Sequence, residues 1–262
     1  MSRRIRLAVI LGVTLACAVG VLAIPPLPQS QDYHNFADRR PLLGIPNFLD
    51  VASNAAFLLA GGLGLLFLAR QRGSNTGDTF TENAEQRPYA ILFLGIALTG
   101  IGSAYYHLAP DNARLVWDRL PMTIGFTAIL AAIIAERISL RAGLLSLVPL
   151  IAAGIGSVVY WQMTELAGRG DLRPYVLVQF YPMLGIPLLM FLFPPKYTRS
   201  ADLLGAVALY ALAKAFEALD TQIFGLGQIV SGHTLKHIVA AFAIYQILRM
   251  LRRRQPLPAR PC

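Results

Sequence analysis

The chain has 262 residues, of which 55% are hydrophobic and only 14% are charged, and its mean hydropathy is +0.54. A soluble domain of this length needs more charge to cover its surface, so the composition argues against a water-soluble protein. The net charge of +9 does not indicate a nucleic-acid partner, because the basic residues flank apolar runs and form no stripe interleaved with aromatic residues.

Eight apolar runs follow one another along the chain. Each has roughly the 20 residues that an α-helix needs to cross the hydrocarbon core of a membrane. We predict membrane-spanning helices at 5–26, 48–69, 88–108, 118–136, 142–161, 174–193, 201–220 and 231–251. The expected fold class is therefore all-α, a polytopic membrane helical bundle with a seven-helix core at 48–251 preceded by a separate N-terminal helix.

The first 27 residues have the form of a secretory signal. A basic start, MSRRIR, is followed by a continuous apolar stretch, which is typical of a signal peptide or of an uncleaved signal anchor. The stretch is long for a cleaved signal and no clear A-x-A site follows it, which favours the anchor. Residues 28–47 are then an extracytoplasmic linker, and residues 252–262 a basic cytoplasmic tail.

Basic residues are concentrated in alternate loops. The loops and termini predicted to be cytoplasmic hold 15 Lys and Arg residues, and those on the opposite side hold six. The positive-inside rule therefore places both termini in the cytoplasm. We expect an integral protein of a bacterial inner (plasma) membrane. The two cysteines, Cys17 and Cys262, provide neither a disulfide framework nor a metal motif.

Three of the four histidines fall in two short segments near the extracytoplasmic side. His107 ends the third span, in GSAYYHLAP, and His233 and His237 begin the last span, in SGHTLKH. A spacing of four places the latter pair on one helix face, and the topology places His107 at the same depth. Three neutral imidazoles can ligate a tetrahedral Zn²⁺ with the fourth position open. Interfacial and core histidines without a metal, or a bis-histidine haem site that leaves the third histidine unexplained, are the alternatives.

Polar residues near these histidines are further candidates. Ser103 lies one turn before His107, and Asp118 lies at the start of the fourth predicted span, where an ionisable side chain is costly without a partner. Asp118 could also cap a helix that starts at Arg119 or Leu120. Ser53 and Asn54, inside the second span, have either a functional role or a role in helix packing.

Four charged residues lie within the last two predicted spans. Glu217 and Asp220 could support the ligand histidines or simply lie at the membrane interface. Two lysines, Lys214 and Lys236, also remain inside these spans. We expect Lys236 to point to another helix face than the two histidines beside it and to reach lipid phosphates.

The order S-x-x-x-H, D-x-x-P-M and H-x-x-x-H over seven helices resembles the alkaline ceramidase family, within a superfamily of seven-helix membrane hydrolases that also includes the adiponectin receptors. The matching residues are Ser103 with His107, Asp118, and His233 with His237, and the resemblance covers roughly 32–251. It implies that the three histidines bind zinc, and that Ser103 and Asp118 belong to the active site of an amidohydrolase. Asp118 is then the expected general base, and Ser103 a hydrogen-bond donor to water or oxyanion.

The resemblance also implies a substrate class. A ceramide-like lipid amide would enter from the bilayer and be cleaved to fatty acid and amine. A lipid-sensing receptor with structural zinc is the alternative function. One feature departs from the family: the calcium-binding segment of the eukaryotic ceramidases is matched here by Asp32, Asp38 and Asn47, beside Arg39 and Arg40. Too few carboxylates remain to predict a Ca²⁺ site. The sequence does not indicate an oligomeric state.

Overall fold

The structure, a computed structural model, describes residues 1–71 and 79–258. Part of the cytoplasmic loop predicted at 70–87 and the end of the predicted tail, with Cys262, lie outside these ranges. The described residues contain α-helices and short 3₁₀ turns and no β-strand, which confirms the all-α fold class. The helices are α1 Arg3–Ala23, α2 Phe48–Ser53, α3 Ala55–Gln71, α4 Gln86–Leu108, α5 Asn112–Arg137, α6 Leu140–Leu166, α7 Arg173–Leu192, α8 Asp202–Ala218, α9 Asp220–Gly225 and α10 Gly232–Arg253.

Seven segments within the described ranges are long and apolar enough to cross a membrane, so the chain is an integral membrane protein. They are α1, α2 with α3, α4, α5, α6, α7 and α10. The remaining predicted span, 201–220, corresponds to α8, whose 17 residues lie at the lower limit for a spanning helix. α1 packs against α7, where Thr14 Oγ1 lies 2.5 Å from the hydroxyl of Tyr181, and none of its residues is buried.

The contacts divide the bundle into two ends. At one end Arg3 donates to the carbonyl of Ile138, and Arg254 forms a buried ion pair with Glu136. At the other end Arg173 donates to the carbonyls of Leu22 and Ile24. Successive connections therefore alternate between the ends, as the predicted topology requires. The three candidate ligand histidines all lie near the end that contains Arg173, beside the 28–47 segment.

Two glycines let helices approach closely where the candidate site lies. A Cβ on Gly102 of α4 would lie 1.9 Å from the carbonyl oxygen of Trp117 in α5. A Cβ on Gly232, at the start of α10, would lie 2.2 Å from the carbonyl oxygen of Phe216 in α8. Neither contact tolerates a side chain. Each glycine immediately precedes a candidate residue, Ser103 and His233, so both side chains are held against a neighbouring helix.

Candidate metal centre

The three predicted ligands meet in the folded chain. His107, His233 and His237 are all buried, and their ligating nitrogens lie within 4.8 Å of one another. The ring centroids are 4.8 to 5.0 Å apart. The prediction that His107 shares a depth with the i, i+4 pair of α10 is therefore confirmed, and the cluster could hold a metal ion.

The distance between two of the three nitrogens is that expected for ligands of one tetrahedral ion. His107 Nε2 lies 3.3 Å from His233 Nε2. Two nitrogens bound at about 2.0–2.1 Å to one tetrahedral ion would lie roughly 3.3–3.4 Å apart. A hydrogen bond from one imidazole to the other would give the same separation. The support for a metal at this position is therefore the convergence of all three buried imidazoles, not this one distance.

The tautomer of His237 also leaves Nε2 available. The hydroxyl of Ser53 donates to the carbonyl of Asp50 at 3.1 Å, so its oxygen accepts from Nδ1 of His237 at 2.8 Å. A proton on Nδ1 leaves the lone pair on Nε2 free for a metal, the usual role of a hydrogen bond to the second nitrogen of a ligand histidine. Ser53, for which packing and function were both open, is thus a partner of a candidate ligand.

Hydrogen bonds to the backbone hold the other two candidate ligands, His107 and His233, in position. Ser231 caps α10 and accepts from the N–H of Thr234 at 3.0 Å, while Asp220 accepts from the N–H of His233 at 2.7 Å. Asn47 donates from Nδ2 to the carbonyl of His107 at 2.8 Å, near the last turn of α4. Of the two interpretations of Asp220, the structure favours support of a ligand helix over a position at the interface.

Asp50 is a buried carboxylate that the sequence did not single out. It is 0% exposed and accepts from the hydroxyls of Thr234, at 2.6 Å, and Ser231, at 3.3 Å, while its Oδ2 has no partner among the described residues. It therefore fixes the start of α10 from α2. The available signal was an aspartate inside an otherwise apolar run, in NFLDVASNAAF.

Ser103 and Asp118 are brought together at a cavity beside the histidines. Both are buried, and the side chain of Ser103 lies close to the carboxylate of Asp118. They line a cavity of about 210 Å³ together with His237. The alternative of Asp118 as a helix cap is wrong, because α5 starts at Asn112 and Asp111 accepts from the N–H of Arg114 at 2.7 Å. Asp118 lies in the second turn and faces the cavity.

Residues 28–47 do more than link the first helix to the bundle. The ring of Phe36 lies 4.6 Å from that of His107 and 4.4 Å from that of His233. His34 accepts from the Tyr106 hydroxyl at 2.8 Å and donates to Oδ1 of Asn112 at 2.9 Å, so neither of its nitrogens is free for a metal. We name residues 28–47 the cover segment, because it covers the histidine cluster from this end of the bundle.

The three residues that match the calcium-binding segment of the ceramidases, Asp32, Asp38 and Asn47, each form hydrogen bonds within the protein. Asp38 accepts from the guanidinium of Arg40 at 2.8 and 2.7 Å, and these hydrogen bonds hold its pKa below the usual value. Asp32 accepts from Nδ2 of Asn35 at 3.2 Å, and Asn47 is engaged by the carbonyl of His107.

Lys236 does not reach lipid phosphates, so that prediction is wrong. Its ammonium donates to Glu217 at 3.0 Å and lies 3.0 Å from Nε2 of His233. Glu217 also pairs with Lys214. A spacing of three residues makes His233 and Lys236 neighbours on a helix, and the charge of Glu217 on α8 holds the lysine inside the bundle. The same cavity that Asp118 lines is also lined by Lys214, Lys236 and Glu217.

No family model matches the chain, and no curated protein matches it.

Replacing Ser53 by Ala is expected to lower metal affinity about 10- to 100-fold, because His237 would lose the partner that fixes its tautomer. Titration of the metal-depleted protein with Zn²⁺, followed by bound metal per chain, measures this change. Ser146→Ala is a matched control, because Ser146 lies in α6 and donates only to the carbonyl of Gly143. An affinity in Ser53→Ala equal to that of Ser146→Ala would remove Ser53 from the metal site.

Proposed function

We propose that the protein is a zinc-dependent amidohydrolase of the membrane, related to the alkaline ceramidases, which cleaves the amide bond of a long-chain lipid. The observation that carries the proposal is the convergence of three buried imidazoles beside a cavity that also contains Asp118 and Ser103. The motif order along the chain supports the same family. Three histidine nitrogens with one position open are typical of catalytic zinc.

The donor set favours zinc over other metals. His107, His233 and His237 would hold the ion through nitrogen, and no carboxylate or thiolate of the described residues belongs to the cluster. Imidazole ligands suit zinc, whereas calcium and magnesium prefer oxygen. When bound, zinc supplies a Lewis acid that polarises an amide carbonyl and acidifies water.

Asp118 is the proposed general base. Hydrolysis requires that water lose a proton as its oxygen adds to the acyl carbon, and that the leaving nitrogen gain a proton as the C–N bond breaks. The carboxylate of Asp118 can carry that proton between the two atoms. The hydroxyl of Ser103, which lies close to this carboxylate, can donate to it and so hold its orientation. The products are a fatty acid and an amine.

The cavity has the shape and polarity for an acyl chain. Away from the polar cluster its walls are apolar and include Phe57, Leu92, Ile96 and Ile129. A second apolar cavity of about 90 Å³ adjoins it and reaches α7 and α8, lined by Met183 and Val207. These two helices are joined by a 2.9 Å hydrogen bond from Gln179 to Tyr210 and do not otherwise pack closely. A lipid can enter laterally at this boundary.

Release of fatty acid tests the proposal directly. Purified protein loaded with zinc is incubated with ceramides, phytoceramides and other N-acyl lipids, and the released acid is measured by mass spectrometry. We expect hydrolysis of at least one long-chain amide and none by protein depleted of metal. If every amide remains intact while lipid still binds, the protein is a lipid-sensing receptor with structural zinc.

We further propose that the histidine cluster faces the extracytoplasmic side and that the C-terminus is cytoplasmic, because the loops at the opposite end are richer in Lys and Arg. In a background without Cys17 and Cys262, a cysteine at exposed Ala113 should react with an impermeant maleimide in intact cells. A cysteine at exposed Asn83, at the other end of the bundle, should react only after lysis. The reverse pattern would place the site on the cytoplasmic side.

A further inference from the structure

The cavity beside the histidine cluster contains two of the three lysines of the chain. Both Lys214 and Lys236 lie on helices within the bundle, and their side chains are 28% and 17% exposed. An ammonium group inside a membrane protein is costly and usually marks a substrate or ion site. The hydrolytic chemistry proposed above uses neither lysine.

The charges that line the cavity do not balance. Among its lining residues Arg119, Lys214 and Lys236 are cationic, and Asp118 and Glu217 are anionic. Both lysines share the single carboxylate of Glu217. Arg119 lies with its guanidinium 4.4 Å from the ring of Trp161 and donates to Oε1 of Gln29, so it is held by neutral groups. A buried cation without a full partner is destabilising, so the cavity favours an anion. A divalent metal at the histidines would increase this excess.

The position of Lys236 indicates where that anion would lie. Its ammonium is 3.0 Å from Nε2 of His233, which is a candidate metal-ligating nitrogen. An anionic group bound to Lys236 is therefore close to the centre at which an amide carbonyl would react. The apolar walls, with Phe57 and Ile129, extend from the same point into the bundle. The ligand then has an acyl chain, an amide, and a negative charge within a few bonds of that amide.

We propose that the substrate is a long-chain N-acyl amino acid, whose carboxylate, one carbon from the amide nitrogen, binds the ammonium groups of Lys236 and Lys214. This inference rests on the hydrolase function proposed above and specifies its substrate class. Water and the N-acyl amino acid give a fatty acid and a free amino acid: the acyl carbon gains the oxygen of water, the C–N bond breaks, and the nitrogen takes the proton. A ceramide, whose headgroup is neutral, leaves the two lysines with only the single carboxylate of Glu217 between them.

A matched pair of probes isolates the carboxylate. N-oleoylglycine and N-oleoylethanolamine have the same acyl chain and the same amide and differ in a carboxylate against a hydroxymethyl group. We expect kcat/KM for the glycine conjugate to be at least about tenfold higher, since hydrogen bonds to charged groups are worth more than neutral ones. Binding is measured separately, as the rise in melting temperature that each probe produces in zinc-loaded protein.

Three lysine variants test the assignment. Lys236→Met and Lys214→Met should each reduce the preference for the glycine conjugate, in hydrolysis and in thermal stabilisation, towards a ratio of about one. Lys196→Met is the matched control, because Lys196 pairs with Glu85 at the opposite end of the bundle and should keep the wild-type ratio. Zinc per chain is measured for each variant. Should Lys236→Met fail to fold or to hold zinc, Lys214→Met decides alone.

The outcomes separate this inference from the hydrolase proposal. If wild-type protein hydrolyses both probes with equal kcat/KM and is stabilised equally by both, the inference is overturned and the hydrolase proposal stands. Preferential binding of N-oleoylglycine, without hydrolysis of either probe or of any other amide in the panel described above, supports the anion site and overturns the hydrolase. A wild-type preference that persists in both lysine variants removes the lysines from recognition. If neither probe binds or is hydrolysed while another amide of the panel is cleaved, the inference is overturned and the hydrolase stands.

Discussion

Protein in which His233 and His237 are both replaced by Ala is expected to contain essentially no zinc, whereas the wild type should carry about one ion per chain. Only His107 would remain of the three converging imidazoles, and one histidine does not hold zinc tightly. The melting temperature should also fall, because a metal that binds the folded chain stabilises it. Elemental analysis of purified protein and a thermal unfolding curve measure the two effects.

His34→Ala provides the matched control. It removes the fourth histidine of the chain, which lies on the cover segment and whose nitrogens contact Tyr106 and Asn112. This variant should keep its zinc, so a loss that appears only in the double variant is a loss of ligands and not of histidines in general. Full zinc occupancy in the double variant would show that the ion binds elsewhere.

Asp118→Asn is expected to keep the fold and the metal and to lose at least about 100-fold in the rate of amide hydrolysis. Asparagine has the shape of aspartate and can still accept from the hydroxyl of Ser103, but it cannot take a proton from water. The measurements are kcat for fatty-acid release and zinc per chain. Ser103→Ala should cost less, because it removes one hydrogen bond and leaves the carboxylate in place.

An aspartate-to-asparagine substitution at the N-cap of α5 controls for the general effect of losing a carboxylate. Asp111 caps this helix, and asparagine is an equally good capping residue. Asp111→Asn should therefore keep wild-type activity. Hydrolysis that continues undiminished in Asp118→Asn would remove this aspartate from the mechanism, and loss of zinc in the same variant would make it a structural residue of the metal site.

The sequence predicted the helices and the meeting of the three histidines, because both depend largely on local patterns. Apolar runs of membrane-spanning length are visible along the chain, and the spacing of His233 and His237 fixes their common face. The meeting of His107 with this pair followed from topology and depth. Asp118 was predicted to be functional because an ionisable side chain at the membrane boundary is costly without a partner. The start of its helix at Asn112 was not predicted.

The remaining parts of the site depend on contacts between distant segments. Phe36 lies 71 and 197 positions from the histidines that its ring contacts, and no periodicity relates them. Asp50 acquires its role only when α2 packs against the start of α10. The orientation of Lys236 was wrongly predicted, because the attraction of Glu217 on another helix outweighs the tendency of an isolated lysine to extend towards lipid headgroups.

In the hydrolase proposed above, the cover segment has a consequence for the timing of each reaction cycle. A fatty acid can diffuse into the bilayer, but a hydrophilic amine must depart to water, and Phe36 stands in its way. Every turnover of such an enzyme would require residues 28–47 to move away from the histidines and return. Such motions take microseconds to milliseconds and frequently limit enzymes whose bond-breaking step is fast. We expect a rapid burst of fatty-acid release on mixing, followed by a slower steady rate. A strictly linear time course would show that release of the amine is not rate-limiting.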